Sequence, residues 1–183
     1  MVETNKTKQA GVVVWFTGLS GAGKTTIAYE LHSLLMANNV FSYILDGDVL
    51  RDGLSSDLTF DTKDRIENLR RIKYVAGMFS DANIMTLVAV IFPFRAERDK
   101  VRSFLNEKYV EVYVKIPFKV AEQRDSKGLY KKARKGLIKH FTGVNSPYED
   151  PHNPELVLET ERLSASECAL KVFDYLRARK YIK

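Results

Sequence analysis

Residues 18–25 read GLSGAGKT and fit the spacing G-x-x-x-x-G-K-[ST]. Glycines so placed let backbone N–H groups turn inward around phosphate oxygens. The lysine and hydroxyl that follow suit the β- and γ-phosphates and a magnesium ion. The stretch points to a nucleoside triphosphate, with Lys24 on its phosphates and Thr25 on the metal. The alternative is a Gly-rich turn with an ordinary surface lysine. A strand before the loop and a helix after it would exclude that reading.

A pair of acids follows in YILDGDVLR, where Asp46 and Asp48 flank Gly47. Carboxylates beside a phosphate loop suit magnesium and a hydroxyl acceptor. An alcohol must lose its proton on phosphorylation, whereas a phosphate acceptor need not. Asp-Gly-Asp is also a common turn. Arg51, one helical turn past Asp48, is a candidate clamp for an anionic substrate. In FDTKDRIENLRRI, Arg65 and Asn68 stand three apart and share one helical face, as an anion clamp and a hydrogen-bonding amide would. Phe60 ahead of them suits stacking on a base. Taken singly, Phe60 also reads as a core aromatic and Arg65 as a solvated charge, and spacing does not decide between these. A last stretch, KGLYKKARKGLIKHF at 127–141, carries Lys127, Lys131, Lys132, Arg134, Lys135 and Lys139 with no acid among them.

Short apolar runs alternate with helical patterns and must position these residues. Residues 12–16, 41–45, 84–92, 109–116 and 155–160 have strand length and β-branched or aromatic content. Ile27, Leu31, Leu34 and Leu35 repeat at helical spacing. So do Leu69, Ile72, Ala76 and Phe79, and then Ala165, Cys168, Ala169, Val172 and Leu176. Ser164 with Glu167 predicts a capping box for the last of these helices. The alternation predicts an α/β fold, three-layer α/β/α, with a five-stranded, mostly parallel sheet that binds ligands at the carboxyl ends of its strands.

The chain has 183 residues, 45% of them hydrophobic, enough for one buried domain over 11–183 behind a loose tail at 1–10. A net charge of +6 calls for polyanionic partners but does not choose among nucleic acid, phosphorylated metabolites and anionic membrane. The single cysteine excludes an intrachain disulfide, and the polar start has no apolar signal core. A cytoplasmic protein without membrane contact is expected.

GLSGAGKTT, LDGDVLRDGL, DRIENLRRI, PFRAERD, EVYVKIPFKVAEQRDSKGLYKKARKG and FTGVNSPYEDPHNPELVLET together resemble, in order and spacing, the adenylylsulfate kinase family over about residues 11–178. The resemblance implies a P-loop kinase fold and transfer of the γ-phosphoryl of ATP, with Mg2+, to the 3′-hydroxyl of adenosine 5′-phosphosulfate. It implies catalytic roles for Lys24, Asp46 and Asp48, with Asp46 on the metal. It extends the ATP contacts to Gly18, Ser20, Gly21, Ala22, Gly23, Lys24, Thr25 and Thr26, and places Leu163 and Cys168 near the ATP adenine. Asp48, Arg51, Phe60, Arg65, Asn68, Ile91, Phe92, Lys127, His140 and Phe141 fall at or beside adenylylsulfate, with Phe60 and Phe141 on opposite faces of its adenine. The basic stretch, about 127–143, becomes a mobile lid whose charge meets two anionic ligands. Relatives are commonly homodimers.

One position departs from the pattern. Where the family usually has serine, recorded in some members as carrying a phosphoryl group, this chain has Phe92. A phosphoenzyme at that residue is impossible, and Phe92 is expected to add apolar surface beside the acceptor. A nucleotide-sensing regulator and a kinase for another small molecule are the competing readings. Nucleic-acid binding is disfavoured because no aromatic-basic module appears. His32, His140 and His152 lack metal-ligand spacing.

Overall fold

The computed structural model describes residues 9–125 and 127–183. Strand β1 (Val13–Thr17) has the sequence VVWFT and is buried on both faces, as the centre of a covered parallel sheet requires. Its side chains alternate. Val14 and Phe16 pack with α1 (Lys24–Ala37) and α7 (Ala165–Ala178), while Val13 and Trp15 pack with α3 (Thr62–Asp81) and α4 (Arg95–Leu105). Two cores on opposite faces of one sheet make the three layers.

Strands β2 (Ser42–Asp46), β3 (Met85–Ala89), β4 (Tyr109–Lys115) and β5 (Leu156–Glu159) complete the order β2-β3-β1-β4-β5. Every pairing is parallel, so the sheet is more uniform than the sequence predicts. The register sets Asp46 opposite Ala89, and Ala89 opposite Phe16. The carboxyl end of β2 therefore stands level with the exit of β1. The chain crosses from β3 to β4 past β1, which makes that end the topological switch point where open α/β sheets take ligands.

The three helices read from apolar spacing are present. The predicted capping box closes α7, with both the Ser164 and Glu167 contacts made. Four helices escaped the pattern: α2 (Gly47–Asp52), α4, α5 (Phe118–Gln123) and α6 (Leu129–Arg134). The buried face of α4 is completed by an arginine, Arg98, alongside Val101 and Leu105, so apolar residues alone do not reveal its period.

Most of the expected loose tail, residues 1–8, lies outside the described residues. Gln9 and Ala10 are not loose. The Gln9 amide donates to the carbonyls of Phe41 and Asn83 at 2.8 and 2.7 Å and accepts from the Phe41 amide, while the Ala10 amide donates to Tyr181. Among the described residues no helix is long and apolar enough to cross a membrane.

Candidate active site

The loop 18–23 runs from β1 directly into α1, the strand-loop-helix context that its spacing demands. Gly18 has φ 155°, and a β-carbon there would sit 2.4 Å from the Val114 carbonyl oxygen. Gly23 precedes the helix at φ 96°. Both positions need glycine. No side chain caps α1 and no acid occupies its first turn, which leaves its positive end available to an anion. Two hydroxyls hold the loop's carbonyls from behind. Tyr130 on α6 donates to Ser20 at 3.0 Å, and Thr160 after β5 donates to Ala22 at 3.0 Å. Those contacts fix the loop from outside, and within it the Ala22 amide donates to the Leu19 carbonyl at 3.2 Å.

Lys24 is buried, and its Nζ donates to the Gly18 and Leu19 carbonyls at 3.0 and 2.7 Å. Burial pushes its ammonium down from 10.5 to about 8. Asp46 and Asp48 oppose that shift, and Lys127 adds to it. The Thr25 hydroxyl donates to Asp46 Oδ2 at 2.7 Å, and Asp46 Oδ1 accepts from the Asp48 amide at 2.9 Å, capping α2. One carboxylate thus fixes both the first turn of α1 and the start of α2. Asp48 is exposed and ion-paired with Lys127, whose ammonium is pushed up by that hydrogen bond.

The acceptor side is built by α3 and the turn before it. The Arg51 guanidinium lies 4.2 Å over the exposed Phe60 ring and donates to the Thr59 carbonyl at 3.1 Å. Arg65 has its donors committed: Nε to the Phe60 carbonyl at 2.8 Å, and the two Nη groups to Thr142 Oγ1 at 2.9 Å and the His140 carbonyl at 2.6 Å. It straps the Phe60 turn to residues 140–142, so as it stands it is a tie between segments and not a free anion clamp. Asn68 shares this helix and is buried, with its Oδ1 enclosed and unpartnered. Ile91 is half-buried just beyond β3.

Two expectations need correction. Phe92 adds no apolar surface to the cleft, because its side chain is wholly buried with its ring 5.0 Å from that of Trp15. Cys168 likewise lies entirely inside the core, so its side chain offers an adenine nothing, whereas Leu163 is only half-buried. The basic segment is folded as α6 and a following turn, and Lys127 is its one cation paired with a cleft acid. Arg134 pairs with Glu122, and Lys131, Lys132, Lys135 and Lys139 are exposed. Phe141 is buried, with its ring edge-on to Tyr130 at 4.9 Å; His140 is exposed and contributes its carbonyl to Arg65.

Sequence reasoning passed over Tyr130, Thr142 and Thr160. Tyr130 carried a signal, a lone aromatic inside a charged run, which is the mark of an anchor. The two threonines carried none.

A glycine-rich loop at the switch point of a parallel sheet, with lysine, hydroxyl and paired carboxylates converging there, defines a P-loop phosphotransferase. The sequence pattern of adenylylsulphate kinase matches residues 10–159. The adenylyl-sulfate kinase of Clostridium acetobutylicum is 48% identical over 175 residues, covering 96% of this chain and 88% of that one. That of Saccharomyces cerevisiae is 48% identical over 179 residues, covering 96% and 89%. The solved structure of the Mycobacterium tuberculosis APS kinase CysC in complex with AMPPNP and APS superposes with a TM-score of 0.87 at 44% identity, covering 92% of this chain and 99% of that chain. The chain belongs to the adenylylsulphate kinase family.

Proposed function

We propose that this protein transfers the γ-phosphoryl group of ATP to the 3′-hydroxyl of adenosine 5′-phosphosulfate, giving 3′-phosphoadenosine 5′-phosphosulfate and ADP. The observation that carries the reading is the array at the ends of β1 and β2, where Lys24, Thr25 and Asp46 adjoin the phosphate loop and Asp48 stands free of the core beside Lys127. Gly18–Thr26 hold the donor phosphates, and Leu163 borders its adenine. Lys24 leaves the Gly18 and Leu19 carbonyls for phosphate oxygens and stabilises charge on the group in flight.

Thr25 and Asp46 offer a hydroxyl and a carboxylate oxygen 2.7 Å apart, hard donors that fit Mg2+ with water and phosphate completing the shell. Among the described residues no cluster of three His, Cys, Asp or Glu offers a fuller protein cage. Held by Thr25 and Asp46, Mg2+ would supply positive charge against the phosphates. Asp48 takes the proton of the 3′-hydroxyl as its oxygen bonds to phosphorus and the bond to the ADP oxygen breaks, late in a loose transition state. Phe60, Phe141, Asn68 and Ile91 border the acceptor nucleoside, while Arg51, Arg65, Lys127 and the His140 segment surround its anionic tail.

Transfer is direct, within a ternary complex. A homodimer is part of this reading, supported by an uncovered aromatic face where Tyr43 stacks on Phe79 at 4.9 Å and Tyr74 meets Phe104 at 5.1 Å beside exposed Met78. Sedimentation equilibrium finding only monomer would remove it.

The deciding experiment is an ADP-release assay with ATP and magnesium, comparing adenosine 5′-phosphosulfate, AMP and gluconate as acceptors. Turnover confined to the first is expected. Preference for gluconate or AMP, or none of the three, would overturn the assignment.

A further inference from the structure

The segment after β3, Val90–Pro93, carries the half-buried Ile91 at the carboxyl end of the sheet, yet its side chain at 92 is turned wholly into the core. What is engaged there is the backbone. Two side chains converge on the Phe92 carbonyl: the hydroxyl of Thr17, the last residue of β1 before the phosphate loop, at 3.2 Å, and an Nη of Arg98. The same Thr17 oxygen shares a hydrogen bond with the Tyr148 hydroxyl at 2.9 Å. The other Arg98 Nη donates to the carbonyl of Glu149, and Arg98 Nε lies 3.1 Å from Glu111 Oε1. Glu149 returns the contact. Its amide donates to the Pro93 carbonyl at 2.9 Å, and its carboxylate accepts from the Arg95 amide at 2.7 Å.

A buried guanidinium with its charge met by Glu111 and its donors spent on two carbonyls, together with the Thr17 hydroxyl on the first of those carbonyls, holds three chain segments in one geometry, because its removal takes a charged donor from both carbonyls and a counter-charge from the buried Glu111. Those segments are the exit of β1 into the phosphate loop, the stretch bearing Ile91, and the chain leaving the lid at 148–149.

We infer that Arg98 is a positioning residue for the phosphoryl acceptor: through the Phe92 and Glu149 carbonyls it sets the stretch that carries Ile91 relative to the phosphate loop. The inference rests on the acceptor reading proposed above. It also accounts for a phenylalanine at position 92, since the tie uses a backbone carbonyl that every residue type supplies. Arg98 touches neither nucleotide under this reading, so its loss should act on one substrate more than the other.

Steady-state kinetics on Arg98→Met, Arg98→Lys and Tyr148→Phe test this. Arg98→Met should raise KM for adenosine 5′-phosphosulfate about tenfold while KM for ATP moves less than twofold. Arg98→Lys should recover part of that loss, and Tyr148→Phe should raise the same KM about two- to threefold. Equal changes in both KM values, a fall in kcat alone, or no change would overturn the inference. If Arg98→Met does not fold, the selectivity of Arg98→Lys and Tyr148→Phe decides by the same criterion. Wild-type protein that ignores adenosine 5′-phosphosulfate would sink the acceptor reading, and this inference with it. Wild-type turnover with unselective variants sinks this inference alone.

Discussion

Lys24 is a cation kept in a place that disfavours cations. Its ammonium sits near pKa 8 when folded, against 10.5 for an unburied lysine. Between those values the unfolded chain binds more protons than the folded one, so the stability of the ligand-free protein should rise with pH across roughly 8 to 10.5 as the burial penalty is relieved. Lys24→Met should therefore abolish turnover yet raise the ligand-free Tm by roughly 2–4 °C, measured calorimetrically at pH 7. A lowered Tm would show that the contacts to Gly18 and Leu19 outweigh burial. Phosphates restore the charge. Binding of ATP at pH 8.5 should take up roughly half a proton or more and at pH 6.5 none through this group, which titration calorimetry in buffers of different ionisation enthalpy reads directly. The two acids should separate. Asp48→Asn should lower kcat more than it raises KM for the acceptor, whereas Asp46→Asn should chiefly raise the magnesium requirement. Reversed phenotypes exchange their roles. The placement of Lys24, Thr25 and Asp46 around the loop was legible in the sequence because it follows from local spacing beside a strand. Phe92 and Cys168 were misplaced because burial is a property of distant neighbours, Trp15 for the first and the α1–α7 core for the second.

Among the elements, α6 shows how a basic run divides its labour. Tyr130 fastens the helix to Ser20 and leans on Phe118 and Phe141, at 5.7 and 4.9 Å between ring centroids, while the lysines around it meet solvent. The charge count marked a segment suited to a polyanion without choosing one, and the aromatic holds that segment in place. Only Lys127 is poised over the cleft, so Lys127→Ala should raise KM for adenosine 5′-phosphosulfate about tenfold and Lys132→Ala less than twofold. Comparable losses in both would return the role to bulk charge. Closure over both ligands should protect 127–143 from limited proteolysis, and unchanged cleavage on adding them would argue against a lid. The short α2 and α6 were illegible for a simple reason. Six residues give fewer than two turns, too few for a period to emerge, and Arg98 disguised α4 as a polar stretch.

For the whole molecule, the alternation of strands and helices was enough to predict a covered parallel sheet. The order β2-β3-β1-β4-β5 was not, since it depends on which crossovers pass β1. Under the proposed function that order would bring donor and acceptor to the same carboxyl edge of the sheet, which suits transfer without a carrier. Initial-rate plots should therefore intersect, and no label should remain on the protein after incubation with γ-labelled ATP alone. Parallel lines with stable labelling would mean a phosphoenzyme formed elsewhere than Phe92. The opposite edge has a consequence of its own. The Ala10 amide meets the Tyr181 carbonyl at 3.2 Å, so the backbone path very nearly closes into a loop. A gene in which those ends are spliced and new ends are cut at the exposed Asn38–Asn39 corner should still encode an active catalyst, and the whole unit could be spliced into a surface turn of a host protein without prying its ends apart.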